Sequence, residues 1–132
     1  MNFPGERKTI TPKNPKEDWR DTSWVSPEGE KVTIAQLLEY LGNQSVDLNV
    51  QELLAQLPPL PKREPHRIEG ANLEHPIIVL KREGRFIAVL DGNHRLQKAG
   101  DNGEKNIKAK ILDLDDPTTP PTFVKIFTWN NS

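Results

Sequence analysis

Five consecutive residues, Asp91-Gly92-Asn93-His94-Arg95, concentrate the chemistry of this chain. They follow the apolar run Phe86-Ile87-Ala88-Val89-Leu90 and lead into Leu96 and Ala99, a strand, turn and short helix closing near Gly100. Such a turn offers free backbone N–H groups and the positive end of a helix dipole, which together attract an anion. Gly92 would let a ligand approach the backbone closely. His94 and Arg95 fall in the first helical turn, where the dipole disfavours a cation, so an anion between them would relieve the conflict. A phosphate fits that description. Asp91 complicates it, because a carboxylate repels a phosphate unless Mg²⁺ or a shared proton lies between them. The combination points to Mg²⁺ at Asp91, or to proton abstraction from a phosphate acceptor. Singly, each residue also has a structural role open to it: Asp91 as a helix cap, His94 as a half-buried ring, Arg95 as the partner of an acid.

The elements that must position this turn can be read from periodicity. Thr33 is an expected N-cap with Gln36 as its capping-box partner, and Ile34, Leu37, Leu38 and Leu41 line one helical face that stops at Gly42. Asn49 repeats the pattern, with Glu52 three residues on and Val50, Leu53, Leu54 and Leu57 on one face, until Pro58 and Pro59 end it. Residues 60–66 then read as a stiff, proline-rich connection delivering Arg67. Pro76 opens Ile77-Ile78-Val79-Leu80-Lys81, and the link containing Gly84 predicts a hairpin to the run at 86–90. Near-continuous apolarity in both strands implies covered faces. Ile107, Ala109 and Ile111 alternate with Lys108 and Lys110 in a further strand, residues 113–121 read as a loop, and residues 123–127 as a last strand. Lys105, Lys108 and Lys110 flank the turn or form a solvated face.

The 132 residues suffice for one domain, and 12 prolines with only 34% hydrophobic residues imply a small core with segments outside it. Residues 1–30, with Pro4, Pro12, Pro15 and Pro27 among many charges, read as an extended arm. Trp19 and Trp24 in that arm are expected to lie across the domain or across a second subunit, which allows a homodimer through the arm. The expected class is therefore α/β, a mixed α+β sheet in a single domain over 31–132. No apolar run reaches the roughly 20 residues of a membrane span, and residues 1–10 hold no apolar leader, so a cytoplasmic protein is expected. With no cysteine there is no disulfide scaffold, thiol nucleophile or Cys-ligated zinc. His66 and His75 show no metal-pair spacing with His94. The net charge of -1 gives no reason for bulk DNA binding, although residues 62–110 carry 11 Lys/Arg against 7 Asp/Glu.

Residues 75–99, HPIIVLKREGRFIAVLDGNHRLQKA, resemble the ParB/sulfiredoxin superfamily, in which a Pro-Ile-x-Val strand, a hairpin and a Gly-x-x-His-Arg turn build a nucleotide-phosphate site. The resemblance covers residues 60–114 and is weaker over the helices before them. It implies a small mixed α/β fold in which Gly92, Asn93, His94 and Arg95 hold phosphates. Lys81 matches a phosphate-contacting lysine of sulfiredoxins. Sulfiredoxins need a cysteine where Asn93 stands, which removes sulfinic acid reduction. Partition ParB proteins continue into a helix-turn-helix and a dimerisation region, neither of which is read here, so plasmid segregation is not the expected role.

The form Asp-Gly-x-His-Arg is closer to the free serine kinases of the superfamily and to its DNA-modification-linked proteins. In the kinases an upstream glutamate is thought to be the general base. Glu69 is the best-placed counterpart and Glu64 the second. The resemblance thus implies a nucleotide ligand such as ATP, with Mg²⁺, and an ATP- or ADP-dependent kinase or NTPase in which Asp91, His94 and Glu69 are catalytic. A non-catalytic adaptor or inhibitor binding protein or nucleic acid is the alternative, and a ParB-like nuclease or DNA-modification accessory a further one.

Overall fold

The computed structural model describes residues 22–131. A small hairpin opens it, β1 (Ser23–Val25) against β2 (Lys31–Thr33), antiparallel with Trp24 opposite Val32. Helix α1 (Ile34–Leu41) follows at once because Thr33 caps it: Thr33 Oγ1 accepts from Gln36 N at 3.1 Å while Gln36 Oε1 accepts from Thr33 N at 2.8 Å. Strand β3 (Val46–Asn49) leads into α2 (Val50–Gln56), capped by Asn49 Oδ1 accepting from Glu52 N at 2.9 Å. After the prolines comes one short helix, α3 (Pro65–Glu69). Then β4 (Ile77–Arg82), β5 (Arg85–Asp91), α4 (Asn93–Asp101), β6 (Asn106–Asp113) and α5 (Pro121–Asn130) complete the described chain.

The main sheet has the order β3-β6-β4-β5, with β4 and β6 parallel and the other two pairings antiparallel. The chain is thus mixed α/β with a mixed sheet and five helices among the described residues. Alternation along β4 sends its side chains to opposite faces. Ile78 and Leu80 join α1, α5 and Val32 in one apolar cluster, while Ile77 and Val79 join α2 and α4 in the other. All four are fully buried, so the sheet lies between two layers of helices. The covered-faces expectation holds for β4, whereas Phe86 to Val89 of β5 are only half-buried because β5 is an edge strand.

Residues 123–127 correct the sequence expectation, since they lie in helix α5 and not in a strand. Pro121 takes the first helical turn, where a missing N–H goes unnoticed, and Phe123, Ile126 and Phe127 then share one face. The β-branched and aromatic composition gave the run its strand-like character, and burial against α1 and β1 overrode it. Pro65 likewise starts α3 inside the expected stiff connection. β1 shows residues 23–25 of the expected arm paired into a hairpin, with the Trp24 ring 5.2 Å from that of Phe127. Residues 1–21 of the arm, with Trp19 and any dimer contact through them, lie outside the described residues.

Phe127 is fully buried in the cluster that α1, β2 and β4 share, with its ring against that of Trp24. Phe127→Ala is expected to lower stability by about 3 to 5 kcal/mol. Urea unfolding followed by tryptophan emission checks this, and a loss below about 1 kcal/mol would contradict the helical placement of α5.

Candidate functional site

The chain reverses between β5 and α4 at Gly92, whose φ of 102° lies in the left-handed region. A Cβ built there would sit 2.5 Å from Ile77 Cγ2 and 3.2 Å from Ile77 Cα, so both conformation and space demand glycine. The start of β4 therefore packs directly beneath the turn. Gly92 is the N-cap of α4, and no side chain caps this helix. Leu96 N donates to Gly92 O at 3.0 Å, while the first-turn amides lack a side-chain acceptor. Asn93 and His94 stand half-buried at that end.

Arg95 faces inward. Its NH1 donates to the carbonyls of Pro76 and, at 3.3 Å, His75, and its NH2 donates to Asp91 Oδ2 at 3.3 Å. Of the five guanidinium donors, these contacts leave two for anything else. The Asp91 and Arg95 side chains are 12% and 17% exposed. Burial pushes the Asp91 carboxyl above the usual carboxylate range, outweighing the Arg95 charge and the bonds from Arg95 and the Gly92 N–H that pull it down. Asp91 is thus a partner of Arg95 and not the cap of α4. It has no second carboxylate beside it, and among the described residues no three His, Asp or Glu gather as a metal group. A magnesium ion held by protein side chains at Asp91 does not fit this arrangement, which already places a cation against the carboxylate.

His94 points the other way, toward α3, with Nε2 2.8 Å from Glu64 Oε1. Arg67 Nε lies 3.9 Å from the same oxygen. Glu64, and not Glu69, reaches the turn. Glu69 lines a neighbouring hollow of about 340 Å³ between α3 and α4, with Pro65 and Ile68 as its apolar wall and Arg63, Lys98 and Asp101 at its rim. Lys98 fixes that wall, its Nζ donating to the carbonyls of Glu69 at 2.9 Å and Ala71 at 2.8 Å. Because α4 rises about 1.5 Å per residue, His94, Lys98 and Asp101 form one stripe, with His94 at its head and the hollow lower down. Lys81 is not in this group. It pairs across the hairpin with Phe86, its Nζ 5.7 Å from that ring, at the end of β5 remote from Asp91. At about 3.3 Å per strand residue, roughly 15 Å separates it from the turn.

No family model and no curated protein matches the chain. The sequence placed Glu64 second to Glu69 among the carboxylates, because its contact with His94 spans 30 residues, beyond any local pattern. Gln97, one turn below Asn93, carried no signal at all, yet it is 6% exposed and its Nε2 donates to Pro61 O at 2.9 Å, while its Oε1 has no partner among the described residues. A buried acceptor left unpaired costs about 1–3 kcal/mol.

Two outcomes follow from the Asp91–Arg95 pair. Arg95→Ala is expected to cost about 3 kcal/mol of stability, since it strands a buried carboxylate and the Pro76 carbonyl. Chemical denaturation measures it, and a loss under about 1 kcal/mol would show that the clamp is idle. Asp91 gives a pH signature. Its folded-state value is raised, so the stability it lends is full below its ordinary value of 3.8 and is lost as pH rises through the folded value. The stability of the native protein minus that of Asp91→Asn should therefore fall as pH rises above 3.8 and level off once pH has passed the raised folded value. A difference that stays flat or rises across that window would overturn the assignment.

Proposed function

We propose that this domain is a ParB/sulfiredoxin-like phosphate-binding module that takes a nucleotide along α4, its phosphates at the turn 92–94 and its nucleoside toward the hollow between α3 and α4. The observation that carries this reading is the uncapped first turn of α4. Its amides follow a glycine that Ile77 forces into a left-handed turn, and His94 heads the same face on which the hollow opens. About 340 Å³ is at the lower end of the range for small-molecule sites. Arg95 supports the site by holding the start of β4 to α4, and it contributes little charge to the ligand. His94 is the side chain positioned to meet a phosphate, and Glu64 orients its ring.

The same arrangement supports binding more than phosphoryl transfer. Asp91 is nearly buried and paired with Arg95, His94 bonds Glu64, and Glu69 lines the hollow, so the three residues first considered catalytic face different partners. A His94 ring held by a carboxylate is nevertheless a general-base arrangement, and turnover would run through it. Any magnesium would arrive with the nucleotide, and no step is assigned to it.

Asn93→Asp separates fold from ligand. A carboxylate at the first helical position complements the dipole and should raise stability by about 0.3–1 kcal/mol. The same charge should repel phosphates and weaken ATP, ADP or CTP binding at least about tenfold, or roughly 1.4 kcal/mol. Calorimetry and thermal unfolding of both proteins read the two signs. Loss of neither, or absence of heat with every common nucleotide in the presence of Mg²⁺, would remove the phosphate site.

A further inference from the structure

Residues 61–64 run along α4 and touch it three times: Pro61 O accepts from Gln97 Nε2 at 2.9 Å, Arg63 pairs with Asp101, and Glu64 Oε1 meets His94 Nε2 at 2.8 Å. Pro61 within this segment, Pro58 and Pro59 before it and Pro65 after it restrict its backbone. Two of its three ties are weak by nature. The Arg63 and Asp101 side chains are 57% and 44% exposed and Glu64 is 52% exposed, and exposed ion pairs contribute little. The third tie is incomplete, because Gln97 sits buried with its Oε1 unpaired beneath the segment. Glu64 occupies the N-cap position of α3 but forgoes the local bond that an N-cap side chain would make. Its carboxylate instead stands at the head of α4, beside His94 and within 3.9 Å of Arg67.

We propose that residues 61–64 form a strap whose Glu64 carboxylate is an internal anion at the head of α4, so that a phosphate-bearing ligand enters by displacing Glu64 from His94. This rests on the phosphate-site reading given above. The carboxylate meets the same imidazole, at the same positive helix end, that a phosphate oxygen would meet, and the two cannot share it without repulsion. Displacement also opens the cover over Gln97, whose unpaired oxygen then gains water. Arg63 of the strap and Pro65 just after it line the hollow, so the strap borders the hollow as well as the turn. The device makes affinity sensitive to charge: mono-anions should be excluded by Glu64, while di- and triphosphates outcompete it.

The test titrates pyrophosphate and ATP into the native protein, Glu64→Gln and, as a charge control, Glu104→Gln at the far end of α4. Glu64→Gln is expected to bind both probes at least fivefold more tightly than the native protein, and Glu104→Gln within twofold of it. Amide hydrogen exchange of the native protein should speed up at residues 62–64 when pyrophosphate binds, a readout that mere removal of a charge would not give. Equal or weaker binding by Glu64→Gln, equal tightening by Glu104→Gln, or exchange at 62–64 that slows on binding would each overturn the strap while leaving the phosphate site in place. Binding of neither probe by any of the three proteins would overturn the site itself and the strap with it. Thermal unfolding confirms that each variant is folded.

Discussion

One guanidinium holds this architecture together at its most demanding point. Arg95 leaves α4 to reach the carbonyls at the start of β4 and the carboxylate at the end of β5, so three elements meet on a single planar group. The pair is nearly buried, and burial of Asp91 works against its ionisation, so the arrangement stays intact only because the two charges and the carbonyls satisfy one another. Directly beside it, Gly92 lets Ile77 press against the turn with no room for even a methyl group. The strand-turn-helix unit is thereby fixed in orientation, and the amides of the first turn of α4 point where β4 and Arg95 dictate.

How far the sequence carried the reading follows from the range of each interaction. The hairpin, the turn and the helix over residues 77–101 were legible because each is decided within a few positions, by alternation, by Gly84 and Gly92, and by the helical spacing of Leu96 and Ala99. The caps Thr33 and Asn49 were legible for the same reason. Strand β3 was not, since four residues with Val46 and Asp47 exposed carry no period, and only pairing with β6 makes them a strand. Helix α5 was misread because Phe123, Val124, Ile126 and Phe127 favour either state, and the choice is made by a core built from residues about 90 positions upstream.

The site divides along the same line. Asp91, His94 and Arg95 lie within five residues, and their types marked the turn as the candidate site. Their directions were not disclosed, because Arg95 answers to carbonyls 19 and 20 residues away and His94 to Glu64. Two neighbouring basic residues of the turn are sent to different partners, Arg95 inward and His94 toward α3. Lys81, at the far end of the same hairpin, shows the complementary limit: a residue can lie within a recognisable motif and still be held a whole strand away from its business end.

Helix α4 therefore separates two duties by face. Leu96 and Ala99 are fully buried against β4 and β6, and with Arg95 they set the position of the turn. The stripe of His94, Lys98 and Asp101 faces α3 and the strap, where contacts are exposed and individually weak. Rigid support on one side and exposed contacts on the other are what the proposed anion site would need, since donors that do not move cost no reorganisation on binding. The edge strand shows that this looseness is local. β5 is interrupted by two register shifts against β4, and Gln56 Oε1 accepts from its Phe86 N–H at 2.9 Å, so the open side of the sheet is blunted against pairing with another strand. The exposed, individually weak contacts lie instead on the outer flank of α4, where the turn, His94 and the hollow meet.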